Sequence, residues 1–368
     1  MILNLESQTE LSGFYVIFNR TVANEKEGIY GISHLVEHLV SHNFKNDLIE
    51  EFRNYSMEWN AYTSPTDIVF FLTGMDKYVS KYRDLFLDKV LFMNIKNEDF
   101  DLEKSTLLEE YTSLFNSQGS SHLLNLYRKL LNTYSSIGKK DNIQKLTIND
   151  CYNYREQNYF LPSKIINVSK YSKFESDIKF NNCVNNFKIN YNDNDFEIEK
   201  YKTSLNKSSI IYFSPIVEED WAVISFINYM LSDGLSTPLY KKIRKKTGLA
   251  YYIKCNLNRM SDFSGVNVIS TETDDEKVDD LINILNEALM DKSFLNKEEF
   301  EKTKMSILNK IETIKIYRHI NVDAFIKPDS WSLEKQINNI TLDKVINSFD
   351  KYFNINNIYK SIDKKEFI

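Results

Sequence analysis

The 368-residue chain is 42% hydrophobic and 27% charged, a globular composition with room for two domains of ordinary size. Its net charge of −6 argues against a nucleic-acid-binding surface, and no run of about 18 apolar residues is present to span a membrane. Three scattered cysteines without a C-x-x-C pair, Cys151, Cys183 and Cys255, read as reduced thiols of a cytoplasmic protein.

The opening stretch Met1–Glu6 lacks the basic and apolar regions of a signal peptide. Residues 13–22 are aromatic and β-branched and predict a strand, followed by a polar loop over 23–30. The next helix, to about Val40, carries the pattern H-x-x-E-H as His34-Leu35-Val36-Glu37-His38. Each helical residue turns about 100°, so His34 and His38 stand one above the other, and Glu37 points to nearly the same side. Leu35, Val36, Leu39 and Val40 fill the other faces, which makes the helix a buried one. A lone histidine on an apolar helix is ordinarily a core residue. Here two of the chain's five histidines share one turn with a carboxylate. Buried polar groups need partners, and a bound Zn²⁺ would supply them.

A second amphipathic helix is expected at 46–56. A turn over Trp59–Pro65 then leads into a strand at Asp67–Leu72, with helices at about 77–92 and 99–116. The last of these holds Glu103, Glu109 and Glu110. Glu103 and Glu110 are two turns apart and share a face, whereas Glu109 is rotated toward solvent. A zinc site with two histidines needs a third protein ligand and an open position. Glu110 is the candidate ligand, and Glu103 the carboxylate that orients a ligating imidazole. His42, four residues past His38, could extend the same face and support a ligand from behind, but it is expected beyond the helix end. Ser117–Ser121 reads as a loop before a helix at 122–133, with His122 as a cap or surface residue. A helix at Thr147–Phe160 and a strand at Lys164–Val168 follow.

Residues 176–200, rich in Asn, Asp and Lys, read as a linker. Beyond it come a strand at Ser209–Phe213, a helix at Glu218–Ser232, and a helix from Pro238 to about Lys246 with Gly248 just past its end. Strands at Ala250–Asn256 and Gly265–Thr271 precede helices at about 274–290, 296–315 and 341–353. The two halves share an order of elements but no residue-level repeat, and the second half has no H-x-x-E-H.

Four segments stand out together: Gly31–His38; Asn60-Ala61-Tyr62-Thr63; Glu103 through Glu110; and Ser236–Arg244 followed by Gly248-Leu249-Ala250-Tyr251. In order and spacing they resemble the pitrilysin / mitochondrial-processing-peptidase family of zinc metallopeptidases, the inverzincins. The resemblance covers most of the chain. It implies an α+β fold of two similar α/β-sandwich domains, at 1–175 and 201–368, joined by the linker and forming half of a clamshell around a chamber. It also implies a zinc-dependent endopeptidase that cleaves peptides or unfolded precursor segments, such as the leader of a ribosomally made peptide. By the same resemblance, His34, His38 and Glu110 match the zinc ligands, Glu37 the general base and Glu103 the supporting carboxylate. Arg244 and Tyr251 match the pair that the second domain lends to the substrate and the tetrahedral intermediate. Asn60 and Ala61 match the sheet edge to which a peptide is added as an extra strand.

Short relatives work as homodimers or as heterodimers with a related subunit, so a partner chain is implied. A non-catalytic peptide-binding subunit is the alternative, although every catalytic residue is kept here. Another H-x-x-E-H enzyme, S-ribosylhomocysteine lyase, is a single small domain with a cysteine ligand. The length of this chain and the scattered cysteines argue against it. The chain departs from the family in lacking a glycine after the motif helix and glycines before Asn60, and in its short stretch after Phe353.

Overall fold

A computed structural model describes residues 1–19, 25–44, 46–116, 118–131, 136–158, 161–181, 207–261, 263–317, 319–320, 332–356 and 358–363. The expected linker falls outside the described residues from position 182 onward, as does Cys183. Two compact units emerge, neither contiguous in sequence. Unit 1 comprises Met1–Ser113, Asn132–Phe187 and Glu312–Ile326; unit 2 comprises Leu114–Leu131, Lys188–Ile311 and Lys327–Ile368.

Unit 1 is built on a five-stranded sheet in the order β1-β5-β2-β4-β3. The strands are β1 (Ile2–Glu6), β2 (Leu11–Phe18), β3 (Glu58–Thr63), β4 (Ile68–Met75) and β5 (Lys164–Ser169). β1 and β5 run parallel, and every other pairing is antiparallel. β2 is buried along nearly its whole length because its alternate residues serve two cores. On one face Phe14 meets Phe86 of helix α3 (Asp76–Leu91) edge-on, and Phe18 meets Phe70. On the other, Tyr15 and Ile17 cluster with Val69, Ile166 and Val168. A strand covered on both faces loses the apolar–polar alternation of a half-exposed one. Each such side chain contributes roughly 1.5–3 kcal/mol by its burial.

The other helices of unit 1 are α1 (Ile32–Ser41), α2 (Asn46–Asn54), α4 (Asn97–Asn116), α6 (Lys140–Lys145) and α7 (Ile148–Asn158). α1 packs on β3 and α7. The segment expected to be a turn, Trp59–Thr63, is instead strand β3. Trp59, Ala61 and Thr63 face inward while Glu58, Asn60 and Tyr62 are exposed, the period of two that a strand dictates. The turn lies at Ser64–Asp67, where the Ser64 N–H donates to the Asp67 carbonyl at 2.8 Å. β3 is an edge strand, with β4 on one side and no described strand on the other.

Unit 2 holds a four-stranded antiparallel sheet in the order β7-β8-β6-β9. Its strands are β6 (Lys207–Val217), β7 (Ile253–Arg259), β8 (Ser264–Asp274) and β9 (Tyr359–Asp363). Its helices are α5 (Gln118–Leu131), α8 (Trp221–Ser232), α9 (Val278–Met290), the greater part of α10 (Lys297–Ile316) and α11 (Leu342–Tyr352). Tyr212, Phe226, Leu285, Phe300 and Phe349 lie in one core.

Helix α5 begins at Gln118, so positions 118–121 of the stretch expected as a loop are its first turn, and Ser117 lies outside the described residues. His122 is accordingly neither cap nor surface residue. It is buried, with Nδ1 3.0 Å from the Ser209 hydroxyl on β6 and Nε2 2.7 Å from the Ser361 hydroxyl on β9. Among the described residues Cys151 and Cys255 are free thiols, and no helix is long and apolar enough to cross a membrane.

Candidate metal centre

Helix α1 starts from Gly31, whose φ of 101° lies in the left-handed region that a side chain disfavours. A Cβ on Gly138 would clash with the Gly31 Cα, so the two glycines let the backbones touch. The first-turn N–H groups of a helix have no partner within it. Glu25 supplies one: its carboxylate oxygens accept from Gly31 N–H at 2.8 Å and Ser33 N–H at 2.9 Å. Nothing in the sequence marks this residue, an acid in a polar loop.

Burial lifts the Glu25 carboxyl to about 7, against the pull of these hydrogen bonds. A carboxyl raised above its unfolded value binds its proton more tightly when folded. Its contribution to stability is complete below pH 4.5 and is lost as the pH rises through about 7. Glu25→Gln should flatten that part of the Tm-versus-pH curve. Glu25→Ala leaves both N–H groups without an acceptor and should cost about 2–3 kcal/mol. Thermal unfolding across a pH series reads both, and an unchanged Tm for Glu25→Ala would contradict the role.

One turn further on, the His34 and His38 rings lie 4.9 Å apart, nearly perpendicular. Their Nε2 atoms lie 3.7 and 3.6 Å from the same oxygen of Glu110, on α4. Donors held about 2.0–2.1 Å from one tetrahedral ion stand about 3.4 Å apart, so these two separations suit a zinc ion, and His34, Glu37 and His38 also bring ligand atoms within 4.8 Å of one another. Glu37, nearly buried, reaches to 3.6 Å from His34 Nε2 and accepts a 3.3 Å hydrogen bond from the Thr63 hydroxyl on β3. Glu103 sits 3.2 Å from His38 Nδ1, one face along from Glu110, and Glu109 points to solvent. The five residues singled out in the two motif helices thus converge. The Thr63 contact was hidden from the sequence by the turn assignment.

The charges of the cluster are mutually dependent. Burial and the neighbouring His38 press His34 down to about 4, against the Glu110 carboxylate. Burial also acts to lower His38, but Glu103, Glu110 and Glu37 overcome it and lift the ring to about 9. Glu37 rises to about 7, chiefly through burial and despite His38 and Thr63. The His38 hydrogen bond draws Glu110 below the usual carboxylate range. Three carboxylates around two imidazoles make a place that favours positive charge.

The remaining candidates lie on other elements. Asn60 and Ala61 are on edge strand β3, where the Ala61 N–H donates to the Asn60 side-chain oxygen at 2.8 Å. Arg244 and Tyr251 belong to unit 2. Arg244 is carried on Tyr240–Thr247, wound as a π-type helix and closed by Gly248 at φ 63°. Its guanidinium lies 4.6 Å from the Tyr251 ring centroid and 5.3 Å from that of Tyr240. Tyr251 is 79% exposed, so the pair is presented to solvent rather than packed in a core.

No curated protein matches the sequence. Two family models do: "Insulinase (Peptidase family M16)" over residues 2–136, and "Peptidase M16 inactive domain" over residues 166–307. Among solved structures, a protease from Helicobacter pylori shares the fold with a TM-score of 0.79 at 17% identity, over 99% of this chain and 97% of that one. A peptidase M16 inactive domain from Pseudomonas fluorescens aligns at 0.75 and 14%, over 100% and 96%. The periplasmic protease PqqL from Escherichia coli aligns at 0.67 and 14%, with all of this chain covering 46% of that one. With the two models matched in sequence order and the fold shared from end to end, the chain belongs to peptidase family M16.

Proposed function

We propose that the chain is a zinc-dependent peptidase acting on peptides or unfolded precursor segments. The observation that carries this reading is the convergence of His34 Nε2, His38 Nε2 and one Glu110 oxygen, with the Glu37 carboxylate beside them. These three would hold the ion, and bound zinc lowers the pKa of a water and polarises a carbonyl. Glu37 would take a proton from the attacking water and return it to the leaving amine. The Thr63 hydroxyl steadies the Glu37 carboxylate for that exchange. Glu103 accepts from His38 Nδ1 and so keeps Nε2 turned toward the centre. The edge of β3 at Asn60 and Ala61, which pairs with no strand among the described residues, would offer backbone groups to an extended peptide, the Ala61 N–H once released from the Asn60 side chain. Because Thr63 lies on the same strand as that edge, a peptide added there would run beside Glu37.

The test is zinc content by elemental analysis together with cleavage of a quenched peptide library by the wild-type chain. About one zinc per chain and cleavage abolished by a chelator are expected; a metal-free, inactive protein would overturn the proposal. We assign Arg244 and Tyr251 to the substrate carbonyl and its oxyanion. Tyr251→Phe should keep zinc and lower kcat/KM by at least about tenfold, a partial form of the loss typical of oxyanion donors. Unchanged kinetics would remove Tyr251 from that role.

A non-catalytic subunit is the second reading. It is favoured by the inactive domain from Pseudomonas fluorescens, which shares the fold over its whole length. Such a subunit would bind peptides without cutting them. The intact H-x-x-E-H turn favours catalysis. The PqqL chain is about twice as long as this one, which supports pairing of this chain with a second copy or a related subunit.

A further inference from the structure

His42 closes helix α1, one turn beyond His38. Its Nδ1 lies 3.1 Å from one oxygen of Glu103, and its Nε2 lies 3.1 Å from a carboxylate oxygen of Asp99. The other oxygen of Glu103 is the one 3.2 Å from His38 Nδ1. Asp99 and Glu103 are four apart on α4, as His38 and His42 are on α1. The two helices therefore meet in a continuous run, Asp99–His42–Glu103–His38, that ends at the metal centre. We propose that His42, backed by Asp99, is a positioning residue for the ligand His38 and acts through Glu103; this rests on the zinc reading given above.

An ionised carboxylate only accepts hydrogen bonds, so a ring nitrogen bonded to Glu103 must carry a hydrogen. His38 thereby spends Nδ1–H on Glu103 and keeps Nε2 bare for an ion. That arrangement is only as firm as the Glu103 carboxylate itself. The terminal torsion of a glutamate is broad, and a carboxylate anchored through one oxygen can swing about it. His42 holds the second oxygen and removes that freedom, so the plane of Glu103 fixes the plane of the His38 ring. Asp99 in turn fixes the tilt of His42. The His42 and Asp99 side chains are each 30% exposed, so replacing them opens no core cavity.

The test is zinc affinity of the full chain, by competition with a chromophoric chelator, in single and paired variants. His42→Ala should weaken binding about tenfold, the lower end of the roughly 10–100-fold cost of losing an outer partner. Asp99→Asn should do so by less. Made in a Glu103→Gln background, His42→Ala should have no further effect, because its route to His38 is already cut. An equal loss in both backgrounds would mean that His42 merely stabilises the helix end and would overturn the proposal. So would an unchanged affinity for His42→Ala. A wild-type chain that binds no zinc would overturn the metal-centre reading itself, a separate failure. Should His42→Ala not fold, as judged by circular dichroism, Asp99→Asn in the two backgrounds carries the same comparison.

Discussion

Glu37→Gln is expected to retain about one zinc per chain and to lose about a thousandfold in turnover, within the 10²–10⁴ range of a positioned general base. The amide has the shape of the carboxylate, and its oxygen can still accept from the Thr63 hydroxyl that holds Glu37 at 3.3 Å. None of the three converging donors is touched, so metal content should not change. What disappears is the ability to take a proton at that point. Burial raises the native carboxyl above its ordinary value, in the direction of a base that works near neutrality, while a bound cation would act the other way. Elemental analysis and single-turnover cleavage of a quenched peptide check both halves. Full turnover by the variant would sink the base assignment.

His34→Ala is expected to lose stoichiometric zinc and measurable turnover together. It removes one of three donors, which should weaken binding by more than the roughly 10–100-fold that an outer partner is worth. The fold should survive. Alanine suits a helix interior, and the Nδ1 of His34 is buried with no hydrogen-bond partner among the described residues, so its loss leaves no protein group unpaired. Circular dichroism, metal content and a chelator titration distinguish loss of metal from loss of structure. Stoichiometric zinc in a folded His34→Ala variant would contradict the ligand assignment.

The metal cluster was legible because its geometry is local. H-x-x-E-H and the seven-residue spacing of Glu103 and Glu110 each fix a face of one helix, and the period of a helix needs no tertiary knowledge. What brought the two helices together was resemblance, since nothing in residues 34–110 alone specifies their contact. Some segments went unread or misread because their partners are remote. β1 pairs with β5 more than 150 residues away, as Ile2 with Ile165. β3 was masked by the turn-like Asn, Ser and Pro around it, although its inward residues alternate as a strand requires. His122 looked like a helix-start residue because its partners, Ser209 and Ser361, lie far along the chain. Glu25 acts on the motif helix from a loop, where spacing carries no rule, whereas His42 stands at the helical spacing of four from His38 and only its contact with Glu103 needed the fold.

The placement of α5 in unit 2 has a consequence for how the molecule is made. The chain passes between the two units five times. β6, which meets His122 of α5 at Ser209, pairs along one edge with β9, the last of the described strands. A ribosome delivers α5 well before β6 and β9, so unit 2 stays unfinished until β9 is made, with a sheet edge waiting for that strand. Unit 1 likewise awaits the stretch Glu312–Ile326. The two units are therefore expected to mature together only once β9 has been made, and a cut between Phe187 and Lys188 would yield two fragments that each lack part of their own unit.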